Sequence, residues 1–255
     1  MMKGKLHIGI SGWSYRDWIG VFYPENLKAT GWLPYYAGKF DCTEINSSFY
    51  RLPSKLTVSN WVNRVPDNFL FCPKMSRYLT HIKRLKEPEE PLERFFTTFE
   101  PMKKKMGPVL LQLAKTIPFE YKATEHLFKL LATKYSSHQF AMEVRHESWL
   151  TEQSYSLMSN YGIAFVMSHS GDHFPYKEVI TAPHIYFRFH GPGSLYNTKY
   201  DERALKEYSL KFENWLDKGH DLWVFFNNCW FGYGIDNACS LRNFLQEFIQ
   251  PAPAG

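Results

Sequence analysis

The chain of 255 residues is long enough for one large domain or two small ones, and its 44% hydrophobic residues can build a substantial core. Its net charge of +5 permits an anionic partner without requiring one. No apolar stretch approaches the roughly 20 residues of a membrane-spanning helix, so we expect no membrane partner. The four cysteines form no CxxC pair, which excludes a zinc-ribbon signature and predicts reduced thiols and a cytoplasmic location.

Eight apolar segments recur along the chain, each with the length of a buried strand. They cover residues 6–11, 42–46, 69–74, 109–114, 140–146, 163–169, 184–190 and 221–228. Helical patterns separate most of them. We predict helices over 55–64 after the N-cap Ser54, over 124–135, and between the N-cap Asp201 and Gly219.

Strands that alternate with helices form βα units around a parallel sheet, and eight such units predict an α/β fold of the TIM (β/α)8-barrel type. Residues 170–183 are the exception, because Gly, Asp and two Pro make a regular helix there unfavourable. The alternative is an open, doubly wound sheet, but no GxGxxG follows the first strand. Since no linker interrupts the pattern, we predict one domain over residues 1–255, with its core at about 6–249.

The fifth strand segment, FAMEVRH at 140–146, carries charged residues at every second position of an otherwise apolar sequence. Alternate residues of a barrel strand face the lumen and the helices. Glu143 and Arg145 are therefore predicted to face the lumen, and Met142 and Val144 the helices. If Glu143 belongs to a binding site, Glu143→Gln should change the free energy of unfolding by no more than about 1 kcal/mol.

The same alternation places polar residues of other strands at the carboxyl-terminal mouth, where active sites form in this architecture. The candidate catalytic residues are Glu44, Glu143, His146 and His190. The candidate substrate-binding residues are Trp13, Tyr15, Asn46, Lys74, Gln112, Arg145, His169, Arg188, Asn227 and Asn228.

Each group has a chemical reason. The two glutamates can act as an acid–base pair, and the three cations can bind a phosphate or carboxylate. Trp13 and Tyr15 in the first βα loop can stack on a base or sugar, or simply pack within the loop. Residues 80–91 are a candidate lid, whose basic residues either meet an anion or stay solvated: His81, Lys83, Arg84 and Lys86.

A metal site is not favoured. His146, His169 and His190 follow three consecutive strands, and imidazoles beside carboxylates suit zinc, manganese or iron. However, no HxxxH or HxH spacing supports a divalent metal, so separate hydrogen-bonded histidines are the favoured interpretation. A divalent metal stays possible, and the sequence identifies no cofactor. No GxSxG nucleophile motif occurs either.

Seven motifs in register resemble the family called domain of unknown function 72, or YecE-like. They lie at 9–24, 44–53, 80–85, 107–113, 143–149, 186–191 and 226–238. The resemblance implies a TIM-barrel fold and carries no established activity. Ten candidates match its recurrent motif positions: Glu44, Asn46, Gln112, Glu143, Arg145, His146, Arg188, His190, Asn227 and Asn228.

The chain departs from that family's pattern at three places. Ala114 and Lys115 follow Leu113 where the family usually has two prolines, and Cys229 replaces the Asp of an FNND motif. His169 ends the sixth strand where the family commonly has an Asp, so the resemblance implies an imidazole in place of a carboxylate at the mouth.

Three functional hypotheses follow. The first is a hydrolase or lyase that acts on a polar anionic substrate, either a small phosphate-bearing molecule or single-stranded nucleic acid. The second is a carbohydrate-active enzyme that uses the glutamate pair. The third is a barrel that binds a ligand or nucleic acid without catalysis. No sequence feature favours one oligomeric state.

Overall fold

The computed structural model describes residues 2–248, so residue 1 and residues 249–255 of the predicted single domain lie outside the described residues. Eight parallel strands form one sheet. In chain order, β1 to β8 are Leu6–Ile10, Cys42–Ile45, Leu70–Pro73, Val109–Gln112, Phe140–Glu143, Ile163–His169, His184–Phe189 and Asp221–Phe226. All eight predicted strands are present, although several end one to three residues earlier than predicted.

The sheet curls into a nearly closed barrel. Its strand order is β3-β2-β1-β8-β7-β6-β5-β4, so the first and last strands of that order are neighbours in sequence. Isolated bridges from Phe71 to Met106 and from Lys74 to Leu110 join β3 to β4. The predicted (β/α)8 barrel is confirmed, and the open doubly wound alternative is excluded.

Helices alternate with the strands and cover the outside of the barrel. The helices α1 to α8 are Trp32–Ala37, Ser47–Tyr50, Lys55–Val62, Glu89–Phe99, Tyr121–Lys134, Glu152–Asn160, Glu202–Asp217 and Tyr233–Phe244. A short π-helical turn, Tyr78–Ile82, also follows β3.

Local capping explains where the predicted helices begin and end. The Ser54 hydroxyl accepts a hydrogen bond from Thr57 N at 3.1 Å, and the Asp201 carboxylate accepts one from Ala204 N at 2.7 Å. Gly219 has a φ of +87°, a left-handed conformation that favours glycine just after a helix. Residues 170–183 contain no helix, as predicted.

The barrel has two apolar layers that follow the predicted alternation. Met142 and Val144 pack in the large layer between sheet and helices. A smaller cluster fills the lumen with residues from seven of the strands and from the segment before β7: Cys42, Cys72, Leu110, Ala141, Ala164, Val166, Ala182, Tyr186, Trp223 and Phe225. The lower part of the lumen is therefore apolar, and polar side chains line the lumen towards the carboxyl ends of the strands.

Candidate active site

Glu44 lies in β2 and is fully buried in the upper lumen. Its Oε1 accepts hydrogen bonds from the Tyr186 hydroxyl and Arg188 Nε, both at 2.8 Å. Its Oε2 accepts one from Arg188 Nη2 at 2.9 Å and another from the Ser11 hydroxyl. Four donors saturate this carboxylate, so the charge of Glu44 is internally neutralised rather than presented to a ligand.

Arg188 in β7 links the two glutamates that the sequence predicts to share the lumen. Its Nη1 donates to Oε2 of Glu143. Arg145 then holds the other oxygen of Glu143, with its Nε and Nη2 at 2.8 and 2.7 Å from Oε1. The result is a buried chain of alternating charge that runs from Glu44 through Arg188 and Glu143 to Arg145.

These contacts fix the ionisation states of Glu143 and Arg188. Burial alone would raise the pKa of Glu143, but Arg145 and Arg188 together hold it well below its usual range. Burial disfavours the charged form of Arg188, yet Glu44 and Glu143 raise its pKa above the ordinary value. Glu143 is therefore a carboxylate without a proton to donate, and each nitrogen of Arg188 already donates to a glutamate.

Lys74 follows β3 and differs from the other cations of the lumen. It is 8% exposed, and its Nζ donates to Oε1 of Gln112 at 2.8 Å while lying 4.2 Å from the centre of the Phe49 ring. Among the described residues it forms no ion pair. Burial and the nearby charge of Arg188 lower its pKa to about 7, so a large share of its amine is neutral near neutral pH.

His190 is buried beside the same chain of charges. Its Nδ1 accepts a hydrogen bond from the Asn227 side chain at 3.0 Å, which leaves Nε2 directed at Glu143 Oε1, 3.7 Å away. Burial and then the charge of Arg188 lower its pKa to about 4. His190 is thus a neutral imidazole that supports the charge chain.

A cavity of about 520 Å³ opens above these groups at the mouth of the barrel. It has the size of a small-molecule site. Its lining brings together seven of the predicted site residues and adds five others. The lining residues are Tyr15, Asn46, Phe49, Tyr50, Lys74, Arg77, His81, Gln112, Arg145, Arg188, Tyr196 and Asn227.

Three parts of this lining were missed by sequence reasoning, and one of them had a signal in the sequence. Phe49 and Tyr50 belong to the EINSSFYRLP motif, so that motif contained the information. Arg77 precedes the π-helical turn after β3, and such turns are frequent at functional sites. Tyr196 comes from the β7–α7 loop with a left-handed φ of +71°, for which the sequence has no recognisable signal.

Four candidates lie away from the cavity, and three of them are polar: His169, Asn228 and His146. His169 has the opposite parity to Ser168 and the lumen, so its Nδ1 is hydrogen-bonded with the Tyr200 hydroxyl at 2.7 Å in the helix layer. Asn228 donates to Thr198 O and to Asn237 Oδ1, and so ties β8 to α8 and the loop before α7. The predicted placement of both side chains at the mouth is therefore corrected.

His146 is the third. Its Nδ1 accepts from the Ser148 backbone N–H at 3.2 Å and caps the turn Glu147–Trp149. This hydrogen bond gives His146 a local structural role, because its Nδ1 is occupied by the turn that follows β5.

The aromatic pair of the first βα loop divides. Trp13 packs edge-on against Trp61, with ring centres 5.4 Å apart, so its ring belongs to the packing of α3. Tyr15 lines the cavity but stacks on Trp18 and donates its hydroxyl hydrogen to Ser11 O at 2.6 Å. Neither ring therefore has both of its own faces free for stacking on a base.

The basic part of the proposed lid also divides. His81 lines the cavity, and its Nδ1 is hydrogen-bonded with the Thr80 hydroxyl at 3.0 Å. The other three basic residues have partners elsewhere: Lys83 pairs with Glu87, Arg84 donates to Thr116 O, and Lys86 lies 3.9 Å from Glu120. The segment thus supplies one imidazole to the mouth.

Within residues 2–248, no three His, Cys, Asp or Glu side chains gather in an arrangement that could hold a metal ion. Over the same part of the chain, no helix combines the length and apolarity needed to span a membrane.

Comparison with known proteins shows one consistent relationship. The sequence model of the family described as "Protein of unknown function DUF72" matches residues 7–254. The UPF0759 protein YecE of Escherichia coli K12 is 28% identical over 159 residues, which are 62% of this chain. That match spans only 55% of the relative's length, or about half.

Solved structures agree with the sequence comparison. A DUF72 family protein from Thermotoga maritima is 31% identical, with a TM-score of 0.83 over 95% of this chain and 99% of that one. A DUF72 family protein from Enterococcus faecalis superposes with a TM-score of 0.81 at 20% identity, over 94% and 95% of the two chains. The latter likeness shows the shared fold alone.

Proposed function

The chain belongs to the DUF72 family, and on that premise we propose that the mouth of its barrel is the active site of an enzyme that acts on a small anionic substrate by lyase or hydrolase chemistry. One observation carries the proposal. Arg77 and Arg145 line the cavity, whereas no Asp or Glu is among its described lining residues. The cavity therefore has a positive wall, which favours a phosphate or carboxylate group.

Arg145 is the main anion-binding residue in this proposal. Its Nε and Nη2 are engaged with Glu143, so Nη1 is the nitrogen that remains for a ligand. The guanidinium carbon lies 3.9 Å from the centre of the Phe174 ring, which restrains the side chain before a ligand arrives. Arg77 adds an exposed cation at the rim.

Lys74 is the proposed general base. An amine that titrates near the working pH is an efficient proton acceptor, and its pKa of about 7 meets this condition. Asn46 lies nearby on the cavity wall, and its buried Oδ1 has no hydrogen-bond partner among the described residues. Because buried acceptors are normally satisfied, we assign that oxygen to a hydroxyl or amine of the substrate.

The geometry gives less support to a carbohydrate enzyme that uses the glutamate pair. A glycosidase needs one protonated carboxyl group as its acid. Both glutamates are fully buried beneath the cavity, and Arg188 holds each of them. Since the pKa of Glu143 is lowered, that carboxyl group is a poor acid.

Calorimetric titration with inorganic phosphate tests the proposed anion site. We expect millimolar or tighter binding by the wild type, and about tenfold or more weaker binding by Arg145→Gln, because each charge-assisted hydrogen bond contributes about 1.5–3 kcal/mol. Lys83→Gln is the matched control, since it removes one positive charge from the same face but outside the cavity lining. Equal binding by Arg145→Gln, or none by the wild type at millimolar phosphate, would contradict the proposal.

Turnover is tested separately. Small phosphorylated and carboxylated compounds are screened with the wild type and with Lys74→Met. We expect turnover of at least one compound by the wild type, and its loss in Lys74→Met while phosphate binding is retained. Turnover that survives in Lys74→Met would remove the lysine from the mechanism.

A further inference from the structure

The surroundings of Lys74 resemble those of a nucleophile more closely than those of an anion-binding lysine. A lysine that only binds anions is best kept charged, usually by a nearby carboxylate. Among the described residues, every carboxylate of the lumen is instead occupied by arginine: Glu44 by Arg188, and Glu143 by Arg188 and Arg145. The amine of Lys74 is left with an amide oxygen and an aromatic face.

The position of the amine suits attack on a bound molecule. Its hydrogen bond to Gln112 Oε1, at 2.8 Å, fixes the nitrogen at the inner wall of the cavity. The Phe49 ring covers the amine, with its centre 4.2 Å from Nζ. Arg145 lines the same cavity and can hold an anionic group of the molecule. A carbonyl carbon of that molecule can then lie against the lysine.

We propose that the Nζ of Lys74 forms an imine with a small aldehyde or ketone that carries a carboxylate or phosphate, an inference that rests on the anion site proposed above. The neutral amine attacks the carbonyl carbon, a C–N bond forms, and the carbonyl oxygen takes up a proton to give a carbinolamine. Loss of water then breaks the C–O bond and leaves the imine. Amine and carbonyl compound thus give imine and water, with no oxidant or reductant.

The cavity also supplies a group for the proton transfers of this sequence. His81 lines it and keeps Nε2 available, because Nδ1 is hydrogen-bonded with the Thr80 hydroxyl. Burial and then the charge of Lys74 lower the pKa of His81 to about 4, so its imidazole is neutral and, once protonated, readily gives the proton up. His81 and Lys74 both line this cavity.

The imine is tested by trapping. The full-length protein is incubated with glyoxylate, pyruvate, glycolaldehyde phosphate or uncharged glycolaldehyde, with sodium cyanoborohydride as the reductant of any imine. Intact mass and peptide mapping then locate the adduct. We expect one equivalent on Lys74 with at least one anionic carbonyl compound, and at least tenfold less labelling of Lys74 by the uncharged compound. The carboxylate and phosphate compounds distinguish the two kinds of anionic group.

Variants sharpen the result. Lys74→Arg keeps the charge but cannot form the imine, so its single adduct should disappear. Arg145→Gln should label at least tenfold more slowly, and Lys83→Arg should label like the wild type. Labelling spread over exposed lysines, with Lys74 unmodified, would overturn the proposal without use of any variant. An unchanged adduct in Lys74→Arg would also overturn it.

Failure of the imine and failure of the anion site give different results. If phosphate binds and Arg145→Gln weakens its binding, but no carbonyl compound labels Lys74, the anion site stands and the imine is wrong. If Lys74 is labelled equally well by charged and uncharged carbonyl compounds, and phosphate does not bind, the lysine is reactive and the anion site is wrong.

Discussion

The guanidinium of Arg188 meets the carboxylate of Glu44 side-on, with Nε 2.8 Å from Oε1 and Nη2 2.9 Å from Oε2. Its third nitrogen, Nη1, donates to Glu143. Arg188 therefore connects two carboxylates across the barrel and acts as a structural link. We therefore propose Arg145, rather than Arg188, as the main anion-binding residue of the cavity.

Glu143→Gln should lower the free energy of unfolding by about 3–5 kcal/mol, because it leaves two buried arginine contacts without a counter-charge. This reverses the expectation of near-neutrality drawn from the sequence. Chemical denaturation at pH 7 measures the difference. Glu207→Gln, which removes the exposed partner of Arg203, should leave the denaturation midpoint unchanged. A loss below about 1 kcal/mol for Glu143→Gln would show that the charge chain adds little stability.

Lys74→Met should raise the free energy of unfolding at pH 7 by about 0.5–2 kcal/mol, because a site residue is often less stable than an apolar one. The pKa of Lys74 is about 7 in the folded chain and 10.5 for an unperturbed lysine, so folding disfavours its charged form. The gain should therefore be full below pH 7 and shrink as the pH rises towards 10.5. The charged groups around Lys74 are Arg188, Glu143, Arg145 and Glu44. Denaturation at several pH values measures this, and a gain that grows with pH would contradict the assignment.

His190→Gln should flatten the acid side of the stability profile. The pKa of His190 is lowered from 6.5 to about 4. Between these two pH values the unfolded chain therefore binds a proton that the folded chain does not bind. Stability should fall as the pH drops from 6.5 to 4, and this residue should contribute up to about 1.4 kcal/mol per pH unit. Glu143 titrates in the same sense, and Arg188, whose pKa is raised, stays charged throughout. Parallel profiles for wild type and variant would show that His190 is not a buried neutral imidazole.

Salt dependence should separate a small ligand from single-stranded nucleic acid. A short oligonucleotide that neutralises several phosphates would lose affinity steeply, with a slope in log–log form of about −0.7 per phosphate contact. The cavity holds a small molecule, and Trp13 is packed against Trp61 rather than available for stacking. We expect phosphate to bind with a shallow slope and oligonucleotides to bind no more tightly than phosphate. Tight oligonucleotide binding with a steep slope would favour the nucleic-acid alternative.

The fold was predictable because strand parity has a direct physical meaning. Met142 and Val144 face the helices, and Glu143 faces the lumen, because successive side chains of a strand point to opposite sides. The same rule explains the misplacement of His169. Its position at the end of β6 predicts a side chain at the mouth, whereas the observed register places Ser168 in the lumen and His169 among the helices.

The site was predictable only where backbone periodicity governs it. Lys74 and Gln112 follow from the strand pattern, and both line the cavity. Tyr196 and Arg77 belong to loops, where side-chain direction depends on tertiary contacts that no local pattern encodes. The sequence also does not reveal the ion pairs. It predicts three cations and two carboxylates in one lumen, but not which cations pair with the carboxylates.

The bridges between β3 and β4 have a consequence for motion. β7 and β8 share six paired residues, whereas β3 and β4 meet through Phe71 with Met106 and Lys74 with Leu110. Amide protons along that junction should exchange with deuterated solvent sooner than those of β7, because fewer bonds must break together. Since Lys74 lies on the junction itself, we expect transient separation of the two strands to widen the cavity around its amine. If Lys74 reacts with carbonyl compounds as proposed, the rate of that reaction should rise under conditions that open the junction.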